Sequence, residues 1–183
     1  MVIALIMKAF VAQAFYIPSA SMVPQLEIHD RVVVSKLAYH FHDPRRGDIV
    51  VFDCPPAADC PVRPAIHEIL PARWLRDLGE AIGLLQPRRE EFIKRVIGLP
   101  GETVEGRGGD VYVNGRRLVE PYLPAGVRTS EFPPTVVPAG TLWVMGDNRG
   151  NSEDSRRFGT IRRRTVVGRT IVRIWPLPRA AFL

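Results

Sequence analysis

Three short stretches constrain this chain more than anything else in it: "RVVVS" at residues 31–35, "GDIVVF" at 47–52 and "EFIKRVIG" at 91–98. Each is rich in β-branched or aromatic residues, with turn-forming residues near its ends. Such side chains lose χ1 freedom in a helix and pack well on a pleated surface, and runs this short match strands. A fourth stretch, "DVYVNGRRL" from Asp110, leads into Asn114-Gly115, a pair suited to the positive φ angles of a two-residue hairpin loop. "TLWVMGD" and "VVGRTIVRIWP" bring the set to about six or seven strands, a normal number for a barrel or curved sheet. The expected fold is mostly β, a coiled sheet or barrel, and the 17 prolines and 15 glycines fit a loop-rich version of it.

Two segments depart from that pattern. In "LPARWLRDLGEAIGLLQP", Leu70, Trp74, Leu78, Ile82 and Leu85 recur at helical spacing, with Arg73, Arg76, Asp77 and Glu80 on other faces. Pro71 suits a first turn and Pro87 follows the end, so a helix is predicted over 71–85, within an insertion at about 54–90. It packs on the β domain or lies in a membrane interface. The other segment is residues 1–17, "MVIALIMKAFVAQAFYI", almost continuously apolar but short of the ~20 residues a spanning helix needs. We read it as a membrane anchor, incomplete at its start or short. Its rivals are a cleavable secretory signal, which lacks a basic start here, and a buried first strand or helix. The β-rich domain then occupies 18–183.

At 183 residues and 24% charged, the chain holds one domain with a real core and is not disordered. Its net charge of +6 suits anionic surfaces, but the arginines are scattered and no nucleic-acid-reading module is present in the sequence, so no nucleic-acid partner is expected. Cys54 and Cys60 are the only cysteines. Their Pro-rich spacing fits neither a redox pair nor a structural zinc site and leaves open a small disulfide loop. His29, His40, His42 and His67 form no metal-ligand set, and neither metal nor cofactor is expected.

The chemistry rests on serine and lysine. A serine hydroxyl attacks only when a base removes its proton. Lys94 stands in "EFIKRVIGLPGE", where a strand would turn it to the face of Phe92 and Val96, while Arg95 takes the face of Ile93 and Ile97. An apolar interior strips hydration from an ammonium and lowers its pKa, and a neutral amine beside a serine can act as a general base. On its own, Lys94 reads as a snorkelling surface residue, and "GDNRGNSEDSR" as a solvated turn.

"PSASMVPQL", "RRGDIVVF", "FIKRVIGLPGETV" and "VMGDNRGNSEDSRRFG" occur in this order, and together they resemble the sequence boxes of bacterial type I signal peptidases, membrane-bound enzymes that remove signal peptides from exported proteins. The likeness runs from Phe15 to Trp175. It implies a nucleophile at Ser21, a general base at Lys94, an oxyanion hole from the Ser19 hydroxyl and the Ser21 N–H, and a lysine-orienting hydroxyl at Ser152. It also implies that Asp147, Arg149, Asp154 and Arg156 support the active-site loop through ion pairs and hydrogen bonds.

By the same likeness Phe15, Ile17, Met22, Leu26, Val32, Val51, Phe92 and Ile93 form shallow apolar pockets that admit small residues, commonly Ala, at the first and third positions before the scissile bond. Shallow pockets reject large side chains by clash. The implied partners are preprotein signal peptides, membrane lipid and the export machinery, and the implied location is the plasma membrane, crossed once, with the catalytic domain on the extracytoplasmic face. The sequence departs from the family pattern at Gln25, at His29, where Gly is frequent, and at Gly150, where Asp is common. Two other readings compete: a self-cleaving repressor-type Ser-Lys protease, and a non-catalytic membrane-tethered β module that binds exported chains.

Overall fold

The computed structural model describes residues 12–58 and 91–183. The helix expected at 71–85, most of the expected insertion and residues 1–11 of the expected anchor lie outside the described residues. Twelve strands are present among the described residues: β1 (Ala12–Tyr16), β2 (Arg31–Ser35), β3 (Ile49–Asp53), β4 (Glu91–Gly98), β5 (Thr103–Arg107), β6 (Asp110–Val113), β7 (Arg116–Arg117), β8 (Phe132–Val136), β9 (Thr141–Met145), β10 (Ile161–Arg162), β11 (Val166–Trp175) and β12 (Ala181–Phe182). Two one-turn helices, α1 (Ala38–Phe41) and α2 (Ser155–Phe158), interrupt them.

An eight-stranded sheet follows the order β1-β2-β11-β3-β4-β9-β10, with β12 added to β11. A smaller four-stranded sheet follows β7-β6-β5-β8. The large sheet is a path with β1 and β10 at its ends among the described residues, so of the expected coiled sheet or barrel it is the open sheet there. The hairpin at Asn114-Gly115 forms as its sequence demands, with φ of +52° and +73° joining β6 to β7.

Residues 12–16, expected to belong to a membrane anchor, form β1 and pair antiparallel with β2, Phe15 opposite Val32 and Tyr16 opposite Arg31. The anchor boundary at residue 17 is therefore corrected. From Gln13 to Tyr16 exposure alternates, half-buried at Gln13 and Phe15 and exposed at Ala14 and Tyr16, as on an edge strand. Among the described residues no helix is long and apolar enough to cross a membrane.

Strand β3 shows how the core is divided. Ile49 and Val51 enter one apolar cluster with Ile17, Met22, Leu26, Val32, Val34 and Ile93. Val50 and Phe52, on the opposite face, join Val96, Leu142, Val144, Phe158 and Ile161. A third cluster of Ile97, Val104, Val111, Val137, Trp143 and Met145 carries the core over to the small sheet. β4 touches all three and is buried along nearly its whole length between β3 and β9, and a central strand covered on both faces reads as a continuous apolar run. The two charged residues inside that run, Lys94 and Arg95, therefore sit deep in the protein.

Candidate active site

The connection from β1 to β2 carries the two serines. Its base is closed by paired backbone bonds, Ile17 N–H to the Asp30 carbonyl and His29 N–H to the Ile17 carbonyl, each 3.0 Å. His29 takes a φ of +76°, a left-handed conformation that glycine adopts at less cost. Inside the loop the apolar Met22 and Leu26 are fully buried and pin it to the first core cluster. Ser21 is thereby held at 8% exposure, and Ser19 Oγ lies 3.4 Å from Ser21 Oγ.

Lys94 approaches from β4. Its Nζ lies 2.8 Å from Ser21 Oγ and donates to the Ile93 carbonyl at 2.9 Å, while the Phe92 ring centroid is 5.1 Å away. The side chain is 4% exposed. Burial lowers its pKa from the ordinary 10.5 to about 8, against the opposing pull of Asp154, Glu153 and Asp147. An amine of that kind is substantially neutral in mildly alkaline water, and its lone pair is then within reach of the serine proton. The face expected for Lys94 is the one it takes: its cross-strand partner Val50 and its neighbours Phe92 and Val96 all pack against the second core cluster.

The loop after β9 supplies the third wall. Asn148 donates its backbone N–H to the Ser21 carbonyl at 3.0 Å and its Nδ2 to the Ala20 carbonyl at 3.1 Å. A Cβ on Gly146 would stand 2.4 Å from the Ser21 carbonyl oxygen, so only glycine lets the two segments approach so closely. Four charged residues named from the sequence, Asp147, Arg149, Asp154 and Arg156, lie in or beside this loop with the following partners. Asp147 binds Arg95 through two bonds of 2.7 and 2.8 Å. Arg149 holds the Gly146 carbonyl at 3.0 Å and is paired with Glu120. Asp154 accepts the Gly146 N–H at 3.0 Å and binds Arg156, whose guanidinium also reaches the Arg149 carbonyl at 2.8 Å. Burial alone would raise the Asp154 pKa, but Arg156 and the Gly146 N–H outweigh it and keep the carboxylate ionised.

The remaining expected residues are placed as follows. Ser152 lies at the site, its Oγ pressed against Gly146, but among the described contacts it makes no hydrogen bond to Lys94. The lysine amine instead bonds the Ser21 hydroxyl and its own strand's Ile93 carbonyl. Of the eight expected pocket residues, Phe15, Ile17, Met22, Leu26, Val32, Val51 and Ile93 come together in or against one cluster, but Phe92 packs against the other. Ile17, Met22, Leu26, Val32 and Val51 are at most 2% exposed and form core beneath the site. Arg95, Asn148 and Glu120 were missed. Arg95 had a visible signal, a cation on a fully apolar strand that must find a buried partner. Asn148 stands inside the "VMGDNRGNSEDSRRFG" box with nothing to single it out, and Glu120 has no signal.

A buried serine and a partly neutral lysine meeting on a mostly β domain define a candidate hydrolase centre. Comparison with known proteins gives that centre its family. The family model described as "Signal peptidase, peptidase S26" matches residues 1–175. A signal peptidase I from Leptolyngbya laminosa is 44% identical over 178 residues, 97% of this chain and 76% of that one. A signal peptidase I from Mycobacterium tuberculosis strain H37Rv is 37% identical over 201 residues, covering 95% of this chain and 68% of that one. The crystal structure of a signal peptidase I from Enterococcus faecalis V583 matches with 30% identity and a TM-score of 0.46, covering 70% of this chain and 97% of that one. The chain belongs to the signal peptidase family, peptidase S26. It is an enzyme, a protease of the signal peptidase type, and the work of that family is the removal of signal peptides. Cys54 is disulfide-bonded, and Cys60 lies outside the described residues.

Proposed function

We propose that this enzyme cuts exported preproteins with Ser21 as nucleophile and Lys94 as general base. The observation that carries the reading is the 2.8 Å approach of Lys94 Nζ to Ser21 Oγ in a site that lowers the lysine pKa to about 8. Neutral Nζ takes the hydroxyl proton as Oγ bonds to the scissile carbonyl carbon. The carbonyl oxygen becomes an oxyanion facing the Ser19 hydroxyl and the Ser21 N–H. The Lys94 ammonium then gives its proton to the leaving amine nitrogen, and the acyl group stays on Oγ. Water, deprotonated by the same amine, releases the acyl group and restores the serine. No metal or cofactor enters any step.

The substrate is a signal peptide with small residues, Ala above all, at the first and third positions before the cut. The domain works on the extracytoplasmic face of the plasma membrane, held by a single span, beside lipid and the export machinery. Tyr16, Arg31 and Trp175 favour that placement: they are cross-strand neighbours in one exposed row, and aromatic side chains with a cation suit a lipid headgroup zone. Incubation with a preprotein carrying Ala at both positions tests the reading. Ser21→Ala and Lys94→Met are each expected to lose at least about 10³-fold in turnover while the fold survives, and Ser19→Ala about 10²-fold. Full activity in Ser21→Ala or Lys94→Met overturns the pair, and wild-type protein that binds the preprotein without cutting it at any pH favours the binding module.

A further inference from the structure

Between β7 and β8 the chain leaves the small sheet and sends Glu120 and Tyr122 toward the loop that grips the nucleophile. Glu120 is 29 residues before Arg149, yet it meets both terminal nitrogens of that guanidinium, one at 2.9 Å. The pair is sealed: the side chains are 10% and 0% exposed. Thr129 Oγ1, from the same connection, accepts from Arg149 at 2.8 Å. Arg149 Nε donates to the Gly146 carbonyl. Tyr122 donates to Glu120 at 2.6 Å and lays its ring against the Arg95 guanidinium, 3.9 Å from centroid to Cζ. Arg95 in turn holds Asp147. Gly146 and Asp147 are thus each fixed by an arginine, and both arginines lean on one two-residue reach from the small sheet. The next residue, Asn148, holds the Ser21 carbonyl.

From this continuous set of contacts we propose that Glu120, assisted by Tyr122, is a positioning residue: it fixes the Gly146–Asn148 backbone and through it the attack geometry of Ser21 on the substrate. The proposal rests on Ser21 being the nucleophile. A bidentate carboxylate orients a guanidinium where a single contact would let it turn, and an orientation error of a fraction of an ångström at the reacting atom lowers turnover without changing how substrate binds. The small sheet, which carries no residue of the Ser-Lys pair, thereby acquires a role in the reaction.

The test uses the whole chain and a cleavable preprotein, with kcat and KM measured separately and thermal unfolding followed on the same samples. Glu120→Gln is expected to lower kcat at least about tenfold with KM within about twofold, because one oxygen still accepts but the paired charge is gone. Tyr122→Phe removes the hydroxyl bond and keeps the ring over Arg95, and is expected to lower kcat about threefold, again at constant KM. Glu120→Asp is expected to recover part of the loss. Unchanged kcat in Glu120→Gln, or a rise in KM alone, overturns the proposal; should Glu120→Gln not fold, Tyr122→Phe decides by the same criterion. Ser21→Ala separates the two levels: if it remains active the nucleophile reading fails, whereas a dead Ser21→Ala beside fully active Glu120 and Tyr122 variants sinks the positioning role alone.

Discussion

Lys94 and Arg95 follow one another on β4, one on each face of the sheet, and both are buried. On Arg95's side the fold supplies a full set of acceptors: Asp147 takes two bonds and the Gly47 carbonyl a third at 2.8 Å, with the Tyr122 ring stacked beside them. On the other side Lys94 meets a serine hydroxyl, one backbone carbonyl and the apolar surroundings of Phe92 and Val50. No carboxylate lies in bonding contact with it among the described residues. The same strand thus keeps one cation by partnering it and makes the next one easy to discharge. The pairing holds one charge in place, and the lack of it leaves the other easy to lose. Residue type follows the same division, since a guanidinium keeps its charge under either condition while an ammonium responds to burial.

Opposite substitutions on the two faces should therefore move stability in opposite directions. Asp147→Asn leaves Arg95 buried without its counter-charge and is expected to cost about 3–5 kcal/mol. Lys94→Met keeps the length and removes a charge that the site does not partner. The native pKa of Lys94, about 8, lies below its ordinary 10.5, so between those values the folded state binds fewer protons than the unfolded chain. Stability in the wild type then rises as pH climbs from about 8 to about 10.5, and the penalty for holding the ammonium inside is present in full below pH 8. Lys94→Met is expected to gain up to about 3 kcal/mol at neutral pH, with the advantage fading toward pH 10.5. Urea unfolding of both variants at pH 7 and pH 10 checks the contrast, and a Lys94→Met that is less stable at pH 7 breaks it.

How far this contrast was legible in the sequence depends on range. The alternation of "EFIKRVIG" alone assigns Lys94 and Arg95 to opposite faces, and Asn114-Gly115 specifies its own turn, because side-chain direction and turn geometry are local. The partners are not local. Asp147 and Glu120 reach their arginines across 52 and 29 residues, and only the packed sheets bring them there. Composition also misled. "AQAFY" looks like the end of an apolar span because an edge strand and a short helix share residues. "FPPTV" does not read as a strand, because its prolines suit only an edge, which is where β8 lies in the small sheet. "TVEGR" reads weakly as a strand because of Gly106, yet a Cβ there would stand 2.5 Å from the Phe132 ring, so the small residue is what lets β5 and β8 meet. The Ser152 contact expected from the family likeness was a matter of side-chain geometry that no pattern specifies.

The kinetic face of the same comparison is a pH profile. If Lys94 acts only when neutral, kcat/KM should rise about tenfold per pH unit below 8 and level off above it. Asp147 is among the groups that raise the Lys94 pKa, so Asp147→Asn should carry the ascending limb to lower pH even as it weakens the fold. Initial rates on a small preprotein substrate across pH 5–10 read both effects, and a wild-type rate flat over that range contradicts a neutral lysine base.

The smallest expected effect comes from Arg95→Lys, which keeps the charge and changes only its shape. An ammonium on a four-carbon stem reaches Asp147, but it cannot present two parallel bonds, hold the Gly47 carbonyl and stack on Tyr122 at once. Asp147 keeps a counter-charge, so the large penalty of an orphaned ion does not arise, and the loss is that of hydrogen bonds and stacking, about 1–2 kcal/mol. Because the charge beside Asp147 is retained, the ascending limb should stay near pH 8. A limb that stays while stability falls assigns the partnered face to architecture; a limb that moves with the fall couples the two faces of β4 and makes the division between its neighbouring cations one of degree.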